Sequence, residues 1–557
     1  MHRIPKKTGT YADALEAIGL ASLLEEIGYR RVEISDTGAE FAITMQSAPE
    51  GPWQKITPGY PYVWEKKKER ESPALGWVID YQREREKREV RQVWDKAQKK
   101  KKDAGAAKLE EQGLDATPEP SPALSTAVML SSMRKGWNGD RDLAKWIDAH
   151  SDETREWVRW RLGLVDAKPQ NIPEISNTQV LNPISGKGVT VTKTRLGSPS
   201  SIPDQLIDPF SEWMKLRGLW AGMLMYRSDE DFKFFVLEPA RVSAEGLRRV
   251  RERLLSLNLW GGVRLDIETT LECTRELIQH SDAFAEGEQA WAAMLRGRPR
   301  DVIAGLRQGY FKSLGTAAAL MNDALMPLPE WFAVDSKQDA DDYLEIISEA
   351  IGERTGSQRK AGCLGSLDEK HSDDGRILQQ YRQWLLSGEL HELLEFHAQF
   401  AVHQMQRLSR KDWVKGFSGH TRKTIGKVYG EKYPMKAIIG DEGFRNIARA
   451  LRNTTVYAAG MSNSNREVRF GLAQRWKQKM KAGNGPFLAE VGDFVQAQNW
   501  EVVHRLKGRG FQVSASDLDH LVELVDQHGA DLVGSLLLAY GYARAPKTEA
   551  EDAAPAV

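Results

Sequence analysis

The residues in this sequence best suited to do chemistry are cations. Between Arg407 and Lys481 there are 18 Lys and Arg against 5 Asp and Glu, a segment near +13. The whole chain has a formal net charge of +0, so the remainder is near −13. A run of mixed sign reads as a solvated helix face. A run of nearly one sign over 75 residues reads as the footprint of a polyanionic partner. Such cations release condensed counterions on meeting a phosphate backbone, whatever its base sequence. The candidates are Arg407, Arg410, Lys411, Lys415, Arg422, Lys423, Lys427, Arg445, Arg449, Arg452, Arg469, Arg475, Lys477, Lys479 and Lys481. Trp413, Phe417, Tyr429, Phe470 and Trp476 lie among them and are candidates to stack on bases.

A second candidate for phosphate contact is the loop Asn182-Pro183-Ile184-Ser185-Gly186-Lys187-Gly188. Glycines on either side of Lys187 let backbone amides and an ammonium approach a phosphate or base edge closely. The P-loop spacing is absent, and a surface turn is the plain alternative. Lys193 and Arg195 follow closely and add charge suited to backbone contact.

Catalytic patterns do not assemble. Asp36-Thr37-Gly38-Ala39 matches the tetrad of retroviral-type aspartic proteases, but that chemistry needs two carboxylates sharing a proton. No second such motif exists, and a hairpin turn is expected there. His391-Glu392 and His397 are six residues apart, not the four of a zincin, so the imidazoles point to different helix faces. His280-Ser281-Asp282 and His371-Ser372-Asp373 lack an adjacent His-Asp pair. Two cysteines, Cys273 and Cys363, cannot make a four-cysteine zinc site. A non-catalytic protein without metal or cofactor is expected.

Several elements must position these residues. A helix is predicted over 10–28, with Gly28 as its C-terminal cap, and a hairpin over 30–44. Residues 65–112 carry dense charge of both signs and predict a long solvated helix. Pro118-Glu119-Pro120-Ser121-Pro122 marks a linker. Helices are expected at 123–165 and 206–226, with loop and short strands at 171–205 and a strand at Phe232–Leu237. From Ser243 the pattern is almost all helix: 243–257, 267–294, 300–325, 338–353 and 375–413. The glycines of 355–375 predict a mobile loop. Phe444, Ile447, Ala448 and Leu451 set an apolar stripe, and Arg445, Arg449 and Arg452 a basic one, on a helix beginning near Asp441. Further helices are expected at 466–482, 486–506, 516–528 and 530–543.

The expected class is α+β, predominantly helical: a mixed N-terminal and central body with a C-terminal helical bundle. The expected divisions are 1–64, a charged helix and linker at 65–122, a central body at 123–435, the bundle at 436–545 and a disordered tail at 546–557. No run approaches the roughly 20 apolar residues that span a bilayer. No apolar signal core follows the basic N-terminus. A cytoplasmic protein with no membrane partner is expected.

Several segments resemble one family. Asn182 to Val189 (NPISGKGV), a following lysine and Ser201 to Asp204 (SIPD) resemble the central segment of large subunits of type I CRISPR-Cas surveillance complexes (Cascade). Gly443 to Val456 (GFRNIARALRNTTV) and Val468 to Trp476 (VRFGLAQRW) are similar to the same family. So are Phe494 to Glu501 (FVQAQNWE) and Asp517 to Arg544 at the C-terminus. The resemblance covers residues 170–545 in patches. It implies a subunit beside the crRNA 5′ handle that recognises the protospacer-adjacent motif in duplex DNA, helps open the duplex and docks the helicase-nuclease. Guide pairing would supply sequence and the protein shape and charge. It also implies a small-subunit-like C-terminal domain against the displaced strand, made separately in some subtypes, with Met435 and Met461 as candidate starts. The implied partners are target DNA, crRNA, the other complex subunits and the helicase-nuclease. Lys187, Lys193 and Arg195, with Asn182, would contact the duplex or motif. Arg445, Arg449, Arg452, Arg469, Arg475, Lys477, Lys479 and Lys481 would contact the displaced strand or its backbone. Some family members carry a four-cysteine zinc site, which two cysteines cannot make. The alternatives are a metal-dependent nuclease whose acids meet only in the fold, and a protein-only scaffold whose basic face docks an acidic partner.

Overall fold

The computed structural model describes residues 1–49, 51–64, 78–80, 139–173, 208–228, 231–257, 259, 261–293, 296–313, 318–355, 358–412, 414–430, 433–460 and 466–544. The fold is α+β and predominantly helical. It divides into two compact units. One comprises Met1–Trp260 with Arg300–Pro327, the other Gly261–Pro299 with Leu328–Val557.

In the first unit β1 (His2–Pro5) leads into α1 (Tyr11–Glu26). The Thr10 hydroxyl accepts from the Ala12 N–H, capping the first turn, and the Asp13 carboxylate reaches back to accept from those of Thr8 and Gly9 in the chain before it. Gly28 takes φ +99°, the left-handed step expected of the cap. The hairpin expected at 30–44 forms as β2 (Glu33–Asp36) and β3 (Glu40–Thr44). At its turn the Asp36 carboxylate accepts the Gly38 N–H at 2.8 Å and holds Lys6 at 2.7 Å. Asp36 is a turn residue. Two short strands, β4 (Tyr62–Trp64) and β5 (Val78–Asp80), pair in parallel. Of the long helix expected over 65–112, only 78–80 lie among the described residues, and they are extended.

Next come α2 (Gly139–Ala149), α3 (Ser151–Arg161) and α4 (Pro209–Gly222). The helix expected over 206–226 ends at Gly222. Strands β6 (Met223–Ser228) and β7 (Asp231–Pro239) follow, then β8 (Arg241–Ser243) and α5 (Ala244–Ser256). The helix expected at 300–325 is instead a hairpin of β9 (Ile303–Ser313) and β10 (Ala318–Pro327). Its helix-favouring Ala, Leu and Met are overridden because β9 is hydrogen-bonded to strands on both sides. Gly305 marks the site: a Cβ there would lie 2.3 Å from the Met326 carbonyl oxygen. Two antiparallel sheets result, ordered β1-β3-β2-β8 and β10-β9-β7-β6.

The core of this unit rests on α1 against α4. A Cβ at Gly19 would lie 1.7 Å from the Met214 carbonyl oxygen, and one at Gly218 would lie 1.8 Å from that of Leu15. The two backbones therefore touch, which only glycine permits. Buried Arg217 locks the pair to the following loop. It meets Glu26 at 2.6 Å and donates to the Thr57 carbonyl at 2.9 Å, while Trp213 Nε1 donates to that of Pro58.

The second unit begins with α6 (Val263–Gln279), whose first amides at Gly262 and Arg264 donate to the Glu369 carboxylate. It stops fifteen residues short of the expected 294 and gives way to irregular chain with one turn of 3-10 helix at Gly287–Gln289. Helix α7 (Lys337–Ile351) follows the Ser336 cap. The expected loop at 355–375 holds structure: β11 (Gly352–Thr355) pairs with β12 (Gln358–Ala361), and Cys363–Ser366 is a 3-10 turn. The helix expected at 375–413 is two, α8 (Ser372–Ser387) and α9 (Leu390–Ser409), broken where Gly388 takes φ +66°. Trp331 stacks on Tyr343 and Trp384, and Trp384 Nε1 donates to the Tyr429 hydroxyl, which donates to the Gly388 carbonyl.

The C-terminal helices are α10 (Gly419–Lys423), continued by a π-helical turn, then α11 (Met435–Gly440), α12 (Glu442–Thr454), α13 (Val456–Gly460), α14 (Leu472–Ala482), α15 (Asn484–His504), α16 (Ala515–His528) and α17 (Ala530–Gly541). Helices α12 and α14–α17 fall where helices are expected, with α14 starting at Leu472 rather than 466, whereas α10, α11 and α13 are not anticipated. The division at 436 does not mark a compact unit. Helix α9 packs against α13, α14 and α17, so the bundle shares its core with the preceding helices.

Replacing Gly19 or Gly218 with Ala is expected to destabilise the first unit by about 1–3 kcal/mol or more, because backbone cannot give way as a side chain can. A thermal melt checks it, and an unchanged midpoint in both variants would contradict the close helix contact.

Candidate nucleic-acid interface

Helix α12 carries the arginine stripe. Asp441 caps it by accepting the Phe444 N–H at 2.9 Å, and Phe444, Ile447, Ala448 and Leu451 face the core. The three arginines do not share one environment. Arg445 is exposed and its Nε donates to the Ile439 carbonyl. Arg449 is half-buried over the Phe511 ring at 4.8 Å. Arg452 is 7% exposed and donates to the carbonyls of Ala543 and Tyr540 at 2.7 and 2.9 Å. These are carbonyls at the C-terminal end of α17, which the helix itself leaves unpaired. Arg452 is a clamp inside the bundle, and its assignment to a DNA strand is corrected on that ground.

Much of the remaining positive charge is matched within the chain. Helix α7 presents Asp339, Asp342, Glu345 and Glu349 at three- and four-residue intervals. Lys423 reaches Asp342 at 2.6 Å and also Glu345. Lys427 reaches Asp342 at 2.8 Å and Asp339, and lies 4.3 Å from the centre of the Phe332 ring. Glu349 accepts the N–H groups of Ser418, Gly419 and His420 at 2.7–3.1 Å. Burial opposes ionisation of Asp339 and Asp342, but hydrogen bonds from the lysines more than offset it and hold both below the usual carboxylate range. Lys477 pairs with Glu395 of α9, Arg475 with Glu490 at 3.4 Å and Arg407 with Asp412 at 3.4 Å. Arg422 donates to the Arg544 carbonyl, and Arg469 lies over the Phe494 ring.

What projects outward is a smaller set. Arg410, Lys411, Lys479 and Lys481 are exposed, Lys415 is half-buried, and Arg445 and Arg475 keep exposed guanidinium groups. Of the aromatics proposed to stack on bases, Phe417, Tyr429 and Trp476 are buried in the core, and their assignment is corrected. Phe470 is 43% exposed. Trp413 lies outside the described residues, as do Asn182, Lys187, Lys193 and Arg195. Sequence reasoning stopped at Lys481 and missed the exposed cations Arg505, Lys507 and Arg509. Their R-x-K-G-R-G run after an apolar helix was legible.

One arrangement was not visible in the sequence. His403 Nδ1 lies 3.0 Å from Asp374, and its Nε2 lies 3.4 Å from the Ser366 hydroxyl. This is the order of a hydrolase relay. Here the hydroxyl also donates to the Cys363 carbonyl at 3.0 Å, and the Leu367 N–H that would face an oxyanion bonds the Leu364 carbonyl. The trio staples the start of α8 to α9. The expected separation of His391 and His397 holds: His391 is exposed, whereas His397 is buried against His420 and Phe417. Among the described residues no group of acids, histidines and cysteines could hold a metal, and no helix is long and apolar enough to cross a membrane. Comparison with protein-family models and with curated proteins finds no match to this chain.

Burial holds His397, His403 and His420 below the ordinary histidine range, His420 falling to about 3, although Asp374 pulls His403 the other way. All three are neutral in the fold, while the unfolded chain takes up protons below about pH 6.5. Their stabilising effect is complete above that pH and falls as the pH drops toward the folded values, by up to about 1.4 kcal/mol per unit for each histidine. Buried Glu212 and Glu238, raised by desolvation, act in the opposite direction, so a variant comparison isolates the histidines. Urea midpoints are expected to fall between pH 7.5 and 5.5, and less steeply in a His397→Gln/His420→Gln variant. Equal slopes in the two proteins would contradict the assignment.

Proposed function

We propose that this protein is the non-catalytic, nucleic-acid-binding large subunit of a type I CRISPR-Cas surveillance complex, acting in the cytoplasm without metal or cofactor. In this reading it recognises the protospacer-adjacent motif in duplex DNA, aids unwinding, stabilises the displaced strand and docks the helicase-nuclease. Its other partners are crRNA and the remaining subunits of the complex.

The observation that carries the reading is the set of cations between Arg407 and Lys481 that the fold leaves exposed. Acids of α7 and α9 neutralise Lys423, Lys427 and Lys477, yet Arg410, Lys411, Arg445, Lys479 and Lys481 stay exposed within the same compact unit. Exposed cations of one sign repel, so folding alone gives no reason to collect them. A phosphate backbone does. The resemblance of Asn182–Val189 and of the C-terminal segments to those of the family is what supports this complex in particular. Within it, Lys187, Lys193 and Arg195 serve the duplex and its motif.

Affinity purification of the tagged chain from cells that make it is expected to bring down an RNA of uniform length. That RNA should begin with repeat-derived sequence and come with the subunits that coat it. Recovery of the chain with neither RNA nor those subunits would contradict the proposal.

A further inference from the structure

Helix α15 buries Phe487, Val491, Phe494, Val495 and Val502 on one side. Trp500 lies off that stripe and is 55% exposed. His504, one turn on, is exposed beside it, the two ring centres 4.9 Å apart and the planes inclined by 38°. An indole is the largest apolar side chain, and leaving it in water forfeits its burial. Among the described residues nothing covers this surface.

The chain that follows is built, not frayed. Leu506 and Gly508 donate backbone N–H groups to the carbonyls of Glu501 and Val502, and Arg509 donates to that of Leu506. Gln498 Nε2 donates to the Phe511 carbonyl at 2.8 Å, and Asn499 exchanges two hydrogen bonds with the Val513 backbone. Lys507 and Gly508 take φ +52° and +76°. For lysine the left-handed conformation is unfavourable, and here the surrounding bonds hold it. Three exposed cations, Arg505, Lys507 and Arg509, are thereby fixed just past the indole. Lys507 and Arg509 have no ion pair among the described residues, and Arg505 shares Glu467 at 3.3 Å. Glu467 is the acid paired with Arg505, Asp493 is exposed two turns before Trp500 on α15, and Glu501 is buried.

An aromatic face beside fixed, largely unpaired cations suits one ligand chemistry. Stacking on aromatics is open to any base with a free face, and cations track its phosphates. A duplex hides its base faces within its own stack, so the match is to a single strand. We propose that Trp500 and His504 form a stacking platform for an unpaired base of single-stranded nucleic acid. Arg505, Lys507 and Arg509 hold the adjoining phosphates. This rests on the reading that the chain binds nucleic acid, and adds which surface takes the unpaired strand.

The test uses the full chain and fluorescently labelled 12-nucleotide oligo(dT), oligo(rU) and duplex DNA of equal length. Trp500→Ala is expected to weaken single-strand binding by about 5- to 100-fold, with duplex binding and the melting midpoint little changed. Trp500→Phe should restore most of the loss. Lys507→Gly, which relieves its backbone while removing charge, should weaken binding and flatten its salt dependence. The ratio of oligo(dT) to oligo(rU) affinity assigns the strand to DNA or RNA. Wild-type binding that Trp500→Ala leaves unchanged would overturn this proposal alone. Absence of binding to any of the three probes would overturn it together with the nucleic-acid reading.

Discussion

The acidic face of α7 binds the chain that leads into the C-terminal helices and withdraws two of its cations, Lys423 and Lys427, from anything else. Glu349 takes three successive amides at the start of α10, and Asp339, Asp342 and Glu345 take Lys423 and Lys427 one and two turns later. A partly exposed ion pair is worth little by itself, roughly 0–1 kcal/mol. A carboxylate that also closes a helix start adds about 0.5–2 kcal/mol. Together they fix the chain from 418 to 428 against α7, and so place the segment that leads to the bundle.

Charge is also sorted by depth. Arg452 shows the inner limit, where a guanidinium gives its protons to the carbonyls that end α17. Arg217 does the same in the first unit, where Glu26 balances it and glycines bring α1 and α4 into backbone contact. A buried charge without such partners would cost several kcal/mol. Arg449 occupies a middle level over Phe511, and Arg445 the surface. The stripe from Arg445 to Arg452 thus contains a clamp, a ring contact and an exposed cation.

Helices α12 and α14–α17 were legible because their apolar residues recur at helical spacing and Asp441, Ser514 and the intervening glycines punctuate them, whereas the single short turn of α13 was not. The β9–β10 hairpin was not, because Ala318, Ala319, Leu320 and Met321 of β10 favour a helix locally and are made a strand by pairing with β9, which β7 holds on its other side. The hairpin at 352–361 was hidden in charged residues that carry no alternation. The excess of cations between 407 and 481 was plain, but the pairing of Lys423, Lys427 and Lys477 was not. Their partners lie about 80 residues away on α7 and α9, and a linear charge count does not see them. Burial of Phe417, Tyr429 and Trp476 was likewise a tertiary fact. Trp500 stands out only once the buried side of α15 is known.

The claim that separates outward cations from internally paired ones is tested most directly by the salt dependence of DNA binding. Affinity of the full chain for labelled DNA would be measured across a range of salt concentrations. The same series would be run on an Arg410→Gln/Lys411→Gln/Lys479→Gln/Lys481→Gln variant and on Lys423→Gln/Lys427→Gln. The first variant is predicted to bind more weakly, with a log–log slope shallower by about 0.9 for each duplex phosphate it no longer neutralises, and to melt as the wild type does. The second is predicted to keep the slope and lose thermal stability. An unchanged slope in the first, or a flattened slope in the second, would contradict the account.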